Sequence, residues 1–189
     1  SVASAPAAAS AAPSRVAIPA LPSDGDVITL NAVRRKTGER LAENWRTIPH
    51  VFQGIDVDFG SIDKMRAKHK DAFKAQNGIS LTYLPFIARA TCIALKEFPQ
   101  VNARFDGEKL TLSRDVNLGI AVDMDHKGLV VPVIANADEL TVTGLAKAIG
   151  RAAQKARAGK LTPAEMQGGT YTITNNGAFG TMFTAPIIN

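Results

Sequence analysis

Three threonines at alternate positions, Thr170, Thr172 and Thr174, stand against Tyr171 and Ile173 in the run Gly169-Thr170-Tyr171-Thr172-Ile173-Thr174-Asn175-Asn176-Gly177-Ala178-Phe179-Gly180. That period puts hydroxyls on one face of a strand and apolar side chains on the other. Asn176-Gly177 is a turn signal, so Thr174 closes the strand with its hydroxyl held at a strand end, where sites are often built. The same alternation equally describes threonines on an exposed strand before a hairpin, since β-branched residues commonly fill such positions.

The other reactive side chains each have an ordinary structural explanation. His50 follows Pro49 at the mouth of an expected strand, His69 lies between Met65 and Phe73 at helical spacing, and His126 belongs to a polar turn. None stands in a metal-spacing pair or beside a recognisable nucleophile. Asp123 and Asp125 could ligate a hard cation, but nothing nearby completes an oxygen cage, and solvated turn acids explain them as well. Cys92 is the sole cysteine, which excludes an internal disulfide framework and fits a reducing compartment. Its helical spacing with Ala88 and Leu95 makes it a small core residue. Gly169, Gly177 and Gly180 flank a strand without joining one to a helix, so neither the dinucleotide nor the P-loop rule is met, and no metal site is expected.

The elements that must position these residues follow from composition and period. A chain of 189 residues can bury one good core, and its 46% hydrophobic and 21% charged content is that of a folded domain. The net charge of +5 is spread along the chain and would favour anionic ligands. No Lys/Arg block is interleaved with aromatics, so nucleic acid is not an expected partner. No apolar run approaches the roughly 18 residues of a membrane span. Residues 1–22 are mostly Ala, Pro and Ser, with Arg15 the one charge, and read as a semi-extended linker within a 1–25 tail. The chain begins at Ser1 without Met or a signal segment, and both ends read as cuts in a longer protein.

From Asn31 the pattern is helical, with Val33, Thr37, Leu41 and Trp45 four apart, until Ile48-Pro49 stops it. Val51 to Phe59 reads as a half-buried strand, with Val51, Ile55, Val57 and Phe59 on one side and Asp56 and Asp58 on the other. Ser61 is placed to cap a helix through Asn77 that Gly78 ends, its stripe being Ile62, Met65, Ala72 and Phe73. A third helix starts near Thr82–Pro85 and runs to Phe98, burying Leu84, Ile87, Ala88, Cys92, Leu95 and Phe98. Asp106-Gly107 joins Asn102–Phe105 and Lys109–Leu112 as a hairpin, and Val116, Leu118, Ile120 and Val122 alternate as a strand. His126-Lys127-Gly128 turns into Leu129–Ile134, where Pro132 marks an edge or bulge. Thr143–Ala158 is an Ala-rich helix stopped by Gly159, and Thr162-Pro163-Ala164-Glu165 is a capping box that starts a short helix. The fold class is α/β in an α+β layered sense, a mixed sheet packed by helices.

Several blocks in order now carry a family likeness: Arg34-Arg35-Lys36 to Leu41, Ile48-Pro49-His50-Val51, Leu84-Pro85-Phe86, Phe98-Pro99-Gln100-Val101-Asn102-Ala103, Gly119-Ile120-Ala121-Val122, Gly128-Leu129-Val130-Val131-Pro132-Val133-Ile134, and Gly169 to Gly180. Over residues 26–189 the chain resembles the catalytic domain of the E2 dihydrolipoamide acyltransferases of 2-oxo acid dehydrogenase complexes, truncated at the C-terminus. The resemblance implies a chloramphenicol-acetyltransferase-like fold, incomplete at that end, and transfer of an acyl group between dihydrolipoamide and coenzyme A. It implies coenzyme A as substrate and a lipoyl group carried on a separate upstream domain. Self-association into trimers and larger cores is implied too, with E1 and E3 components met through upstream domains, in the cytoplasm or, in a eukaryote, the mitochondrial matrix.

The family's general base is a histidine in a His-Arg-x-x-Asp/Asn-Gly motif that deprotonates the CoA thiol. His50, His69 and His126 do not match it, and by family order it lies beyond Asn189, so the chain as written is expected to transfer little or nothing. Thr174 matches the family's Ser or Thr that hydrogen-bonds the tetrahedral oxyanion. Arg66 matches an arginine that pairs with the motif's acid, and reads equally as an exposed helix arginine. Phe52, Tyr83 and Phe183 are candidates to line an acyl pocket. Two other readings are a core or scaffold subunit that has lost the base, and a free-standing CoA-dependent acetyltransferase; the linker argues against the latter.

Overall fold

The computed structural model describes residues 25, 27, 29–124, 128–177 and 180–188. The chain divides into two units, Ser1–Leu30 and Asn31–Asn189. The expected linker therefore lies outside the described residues except for Gly25, which sits in a turn at φ +101°. His126 and Asp125 also lie outside them.

Helix α1 spans Ala32–Thr47 and begins where its cap demands: the Asn31 side chain accepts the Arg34 backbone N–H at 2.8 Å. Pro49 disfavours the helical basin for Ile48, which turns extended at φ −111°, ψ 124°. The expected inner stripe is shallower than its spacing suggests. Val33 is 41% and Trp45 50% exposed, and α1 has no buried residue.

Helix α2, Gly60–Asn77, starts one residue before the expected Ser61 cap. Phe59 occupies the N-cap without a side-chain bond, while the Asp58 carboxylate accepts the Gly60 N–H at 2.7 Å, so the acid in front of the helix does the work assigned to the serine. Gly78 ends α2 in the left-handed region at φ +69°, as expected.

Between these helices the largest expectation fails. Residues 51–59 form no strand and join no ladder among the described residues, with Val51 83%, Ile55 89% and Val57 64% exposed. Alternation makes a segment competent for a sheet, but a ladder needs a neighbour, and the described residues supply none.

Helix α3, Leu84–Glu97, carries Pro85 in its first turn and buries Pro85, Ala88, Cys92 and Leu95. Ile87 and Phe98, expected inside, are 37% and 57% exposed, so the buried stripe is narrower than the apolar one. The hairpin forms as its turn predicts. Strand β1, Ala103–Phe105, pairs antiparallel with β2, Leu110–Leu112, and Asp106 accepts the backbone N–H groups of Lys109 and Glu108 at 2.8 and 3.2 Å across the turn. Those two bonds hold the Asp106 carboxyl below the ordinary carboxylate range.

The alternating strand is real but broken in two. Strand β3 is Leu118–Ile120 and β4 is Val122–Asp123, with Val116, Leu118, Ile120 and Val122 all buried. Strand β5, Leu129–Val130, pairs with β4, and β6, Val133–Ile134, pairs with β3. Pro132, which has no N–H to give a ladder, stands at the switch from one partner to the other.

Helix α4, Val142–Arg157, is capped by the Thr141 hydroxyl accepting the Gly144 N–H at 3.1 Å. The capping box at Thr162 is formed and starts a single 3₁₀ turn, Pro163–Met166. The Lys155 ammonium and the Thr162 backbone N–H and hydroxyl hold its Glu165 carboxyl down at about 2.

Strand β7, Tyr171–Ile173, completes a mixed three-stranded sheet in the order β6-β3-β7, antiparallel on one side of β3 and parallel on the other. Helices α3 and α4 cover it. Leu118, Val116, Leu145, Cys92, Ala88 and Ile149 are joined in one buried cluster. The turn at Asn176-Gly177 leads into no second strand among the described residues; 180–188 run without helix or ladder. No helix among the described residues is long and apolar enough to cross a membrane.

Candidate functional site

Thr174 follows directly on β7, and what aims it is the register of that strand on β3. Gly119 pairs with Thr172 and Ile120 with Ile173, and the Ala121 N–H donates to the Ile173 carbonyl at 3.0 Å. Gly119 is required for this approach. A Cβ there would lie 2.8 Å from Val131 Cγ1 and 3.0 Å from Thr172 Oγ1, inside contact distance of both neighbours.

Asn117 pins the other end of β7. Its backbone N–H donates to the Thr170 hydroxyl at 3.0 Å and its carbonyl accepts the Thr170 N–H at 2.8 Å. Its side chain donates to the Gly168 carbonyl at 3.0 Å and accepts the Asn136 N–H at 3.0 Å. The three threonines thus differ in role. Thr170 is a structural tie, Thr172 packs over Gly119, and Thr174 is exposed with its hydroxyl bonded to none of the described residues. A hydroxyl so held can donate to an oxygen brought from solution.

Arg66 stands on α2 with its side chain 28% exposed. Its Nε donates to the Leu81 carbonyl at 2.8 Å, its guanidinium carbon lies 4.6 Å above the Tyr83 ring, and Asp63 is 3.9 Å away. The Tyr83 hydroxyl donates to the Asp63 carboxylate, and that bond, with partial burial and the Asp63 charge, pushes the phenol above its ordinary value against the opposing pull of Arg66. Arg66 is therefore a strut between α2 and the loop before α3, and its fork still has donors to spare.

Arg66→Ala is expected to cost about 1–2 kcal/mol of stability, the price of leaving the carbonyl of the 5%-exposed Leu81 without its donor. Urea unfolding would check it. Arg66→Lys should recover little of the loss, because an ammonium cannot both reach the carbonyl and lie flat on the ring.

The three aromatic pocket candidates occupy different settings. Tyr83 belongs to the Arg66 strut, with Phe59 edge-on at 5.8 Å. Phe52 stacks 6.1 Å from Trp45 and 6.3 Å from His50. Phe183, 66% exposed, is on the segment after β7. Trp45, Arg46, Ile48, Pro49, His50 and Phe52 line an open hollow of about 500 Å³. Cys92 is fully buried, and burial raises its thiol above the usual range, which suits a packing residue and not a nucleophile. Asp123 pairs with Leu129 across β4 and β5.

Sequence reasoning missed Asn117 and the partners of His50. A lone Asn or His carries no period, so the Asn117–Asn136 and His50–Ile188 contacts, 19 and 138 residues apart in the chain, are visible only in the fold.

Residues 22–189 match the model of the 2-oxoacid dehydrogenases acyltransferase (catalytic domain) family. The chain is 40% identical over 162 residues to the dihydrolipoyllysine-residue succinyltransferase component of the 2-oxoglutarate dehydrogenase complex of Bartonella vinsonii subsp. berkhoffii, covering 86% of this chain and 39% of that protein. It is 40% identical over 171 residues to the lipoamide acyltransferase component of the branched-chain alpha-keto acid dehydrogenase complex of Bacillus subtilis, covering 90% and 40%. The chain thus spans about two-fifths of the length of the curated relatives it matches.

Among solved structures, a probable dihydrolipoamide acetyltransferase from Listeria monocytogenes superposes with a TM-score of 0.85 at 39% identity, over 89% of this chain and 71% of that one. The dihydrolipoamide acetyltransferase of Azotobacter vinelandii, studied for the role of a serine, a histidine and an asparagine in its catalytic mechanism, gives 0.83 at 31% identity, over 91% and 74%. The cubic core of the pyruvate dehydrogenase multienzyme complex gives 0.83 at 31%, over 90% and 73%. The expected fold is therefore that of these catalytic cores.

Proposed function

The chain belongs to the family of 2-oxoacid dehydrogenase acyltransferase catalytic domains, and from that membership we propose that it supplies the oxyanion-stabilising part of an acyl-transfer site. The observation that carries this reading is the exposed, unengaged Thr174 hydroxyl at the end of a strand registered on β3. When a thiolate adds to a thioester carbonyl, negative charge collects on the carbonyl oxygen, and a fixed donor within hydrogen-bond reach lowers that barrier more than it stabilises the ground state. As the tetrahedral centre collapses, the bond from carbon to the departing sulfur breaks and that sulfur takes up the proton removed from the attacking thiol.

The acyl group passes from dihydrolipoamide to coenzyme A, and the lipoyl group arrives on a separate domain tethered through the Ala/Pro-rich stretch up to residue 25. The proton is handled by the histidine of the His-Arg-x-x-Asp/Asn-Gly motif, which the resemblance places after Asn189, and Arg66 uses its spare donors to steady that motif's acid. His50 is an unsuitable base, since both of its ring nitrogens are already hydrogen-bonded. The protein works in the cytoplasm as a self-associating core, consistent with its likeness to a cubic core, and meets the E1 and E3 components through other domains.

The test is chromatographic measurement of free coenzyme A and S-acyl-dihydrolipoamide formed from acetyl-, succinyl- and branched-chain acyl-CoA with dihydrolipoamide, on a polypeptide carrying this chain together with the histidine motif. Transfer of one acyl class above the others is the expected result. Absence of transfer from all three would sink the catalytic reading and leave a core subunit of the same fold.

A further inference from the structure

Helix α4 carries bases and no acid. Its charged residues are Lys147, Arg151, Lys155 and Arg157, and the first three recur at every fourth position, in one row along the helix. Like charges four apart on a helix repel and weaken it. Helix α1 is built otherwise, with Glu39 and Glu43 set among its arginines. In α4, Lys155 is neutralised where it stands, its ammonium 2.6 Å from the Glu165 carboxylate of the capping box. Lys147 and Arg151 are exposed and have no hydrogen bond or ion pair among the described residues.

Beside that row lies a hollow of about 220 Å³ between α4, the edge strand β6 and the turn of the capping box. Val133, Ala148, Ala152 and Leu161 give it apolar walls, and Arg151 and Lys155 bring their charges to it. It is smaller than the roughly 300–1,000 Å³ of sites that enclose a drug-sized ligand, and has room for one large aliphatic side chain.

The surplus charge runs beyond the hollow, since Lys147 does not line it. A small anion seated there would meet Arg151 and leave Lys147 unmatched. An extended chain matches both. Residues four apart on a helix are separated by about 6 Å along its axis, and alternate residues of a strand by about 6.6 Å. Carboxylates at alternate positions of an extended segment therefore keep step with Lys147 and Arg151, and the next alternate side chain comes level with Lys155 at the hollow. Residues 1–22 of this chain are not that segment, because they carry Arg15 and no acid.

We propose that the groove between α4 and β6 docks an extended acidic segment of a partner protein, with alternate carboxylates on Lys147 and Arg151 and a large aliphatic side chain in the hollow. This inference does not rest on the reading of Thr174.

The experiment is fluorescence anisotropy with the labelled peptide Glu-Thr-Glu-Thr-Leu-Thr-Glu-Thr-Glu and the polypeptide used for acyl transfer. Acids flank the leucine on both sides, so either chain direction fits. Saturable binding that weakens with salt is expected. Lys147→Gln and Arg151→Gln should each weaken it about three- to fivefold, and together about tenfold or more, the upper end of the scale of exposed ion pairs. Ala152→Leu, which fills the hollow and alters no charge, should weaken binding about tenfold or more, as should alanine in place of the peptide's leucine. The alanine peptide tests that contact on the unaltered protein.

Lys70→Gln combined with Lys74→Gln, exposed cations on α2, should leave binding unchanged. Equal weakening by this α2 pair, or full binding of the alanine peptide, would show attraction to net charge alone and overturn the site. Displacement of the peptide by oligothymidylate of matched charge as readily as by unlabelled peptide would overturn the assignment to a protein segment. Lack of saturable binding below about 1 mM would overturn the proposal outright.

Discussion

Replacing Thr174 with alanine is expected to lower acyl transfer at least tenfold, and toward the hundredfold to thousandfold that a single oxyanion donor commonly supplies. The reasoning is geometric. The hydroxyl is presented to solvent at the end of β7, is bonded to none of the described residues, and is held in place by the backbone pairing of β7 on β3. Removing it should therefore leave the strand intact and subtract only what the oxygen of the tetrahedral intermediate feels.

Such a loss appears in turnover and in kcat/KM equally, because the bond strengthens only as charge develops. Thr174→Ser should keep most of the activity, and Thr174→Val, which keeps the shape and deletes the donor, should behave like alanine. Urea midpoints of all three should match the parent. Steady-state kinetics on the polypeptide that includes the histidine motif decides the matter; unchanged turnover in Thr174→Ala would remove Thr174 from the mechanism.

The second large effect is on stability. Leu118 is fully buried in β3, the central strand of its sheet, paired with Ile134 on one side and Tyr171 on the other. Leu118→Ala removes a side chain from a cluster that includes Val116, Leu145 and Cys92, and is expected to cost about 2–5 kcal/mol in transfer free energy and residual cavity. That is a large part of the ordinary stability of a domain, about 5–15 kcal/mol. Leu129→Ala is the control. The residue is 44% exposed on the short β5, so the same deletion should cost under about 1 kcal/mol. Denaturant unfolding of the two variants separates burial from composition, and equal midpoints would show that the cluster around β3 is not the centre of the fold.

The local elements were written in the sequence wherever one residue type answers one backbone need. Asn31 and Thr141 supply side-chain caps, Gly78 and Gly159 supply positive φ, Gly107 closes the hairpin, and Pro49 ends α1. The family was legible for a related reason: its blocks are spread through the chain in order, and matching several of them together does not depend on how any one segment packs. The place of Thr174 at the end of a strand could be read in the same way, from a period of two and a turn signal.

Tertiary structure decided what depends on neighbours distant in sequence. Residues 51–59 have the alternation of a strand and no described partner, so they form no ladder, and Val51, Ile55 and Val57 stay exposed. Arg66 could be read as an exposed helix arginine or as an ion-pair partner; the Leu81 carbonyl and the Tyr83 ring make it a strut. His50 looked like an unremarkable histidine after a proline until Ile188 came within 3.0 Å of its Nε2. Period, caps and turns are set by adjacent residues, and the chain states them directly. Pairing, burial and the tautomer of a histidine are set by whichever group the fold brings opposite, and that only the tertiary structure determines.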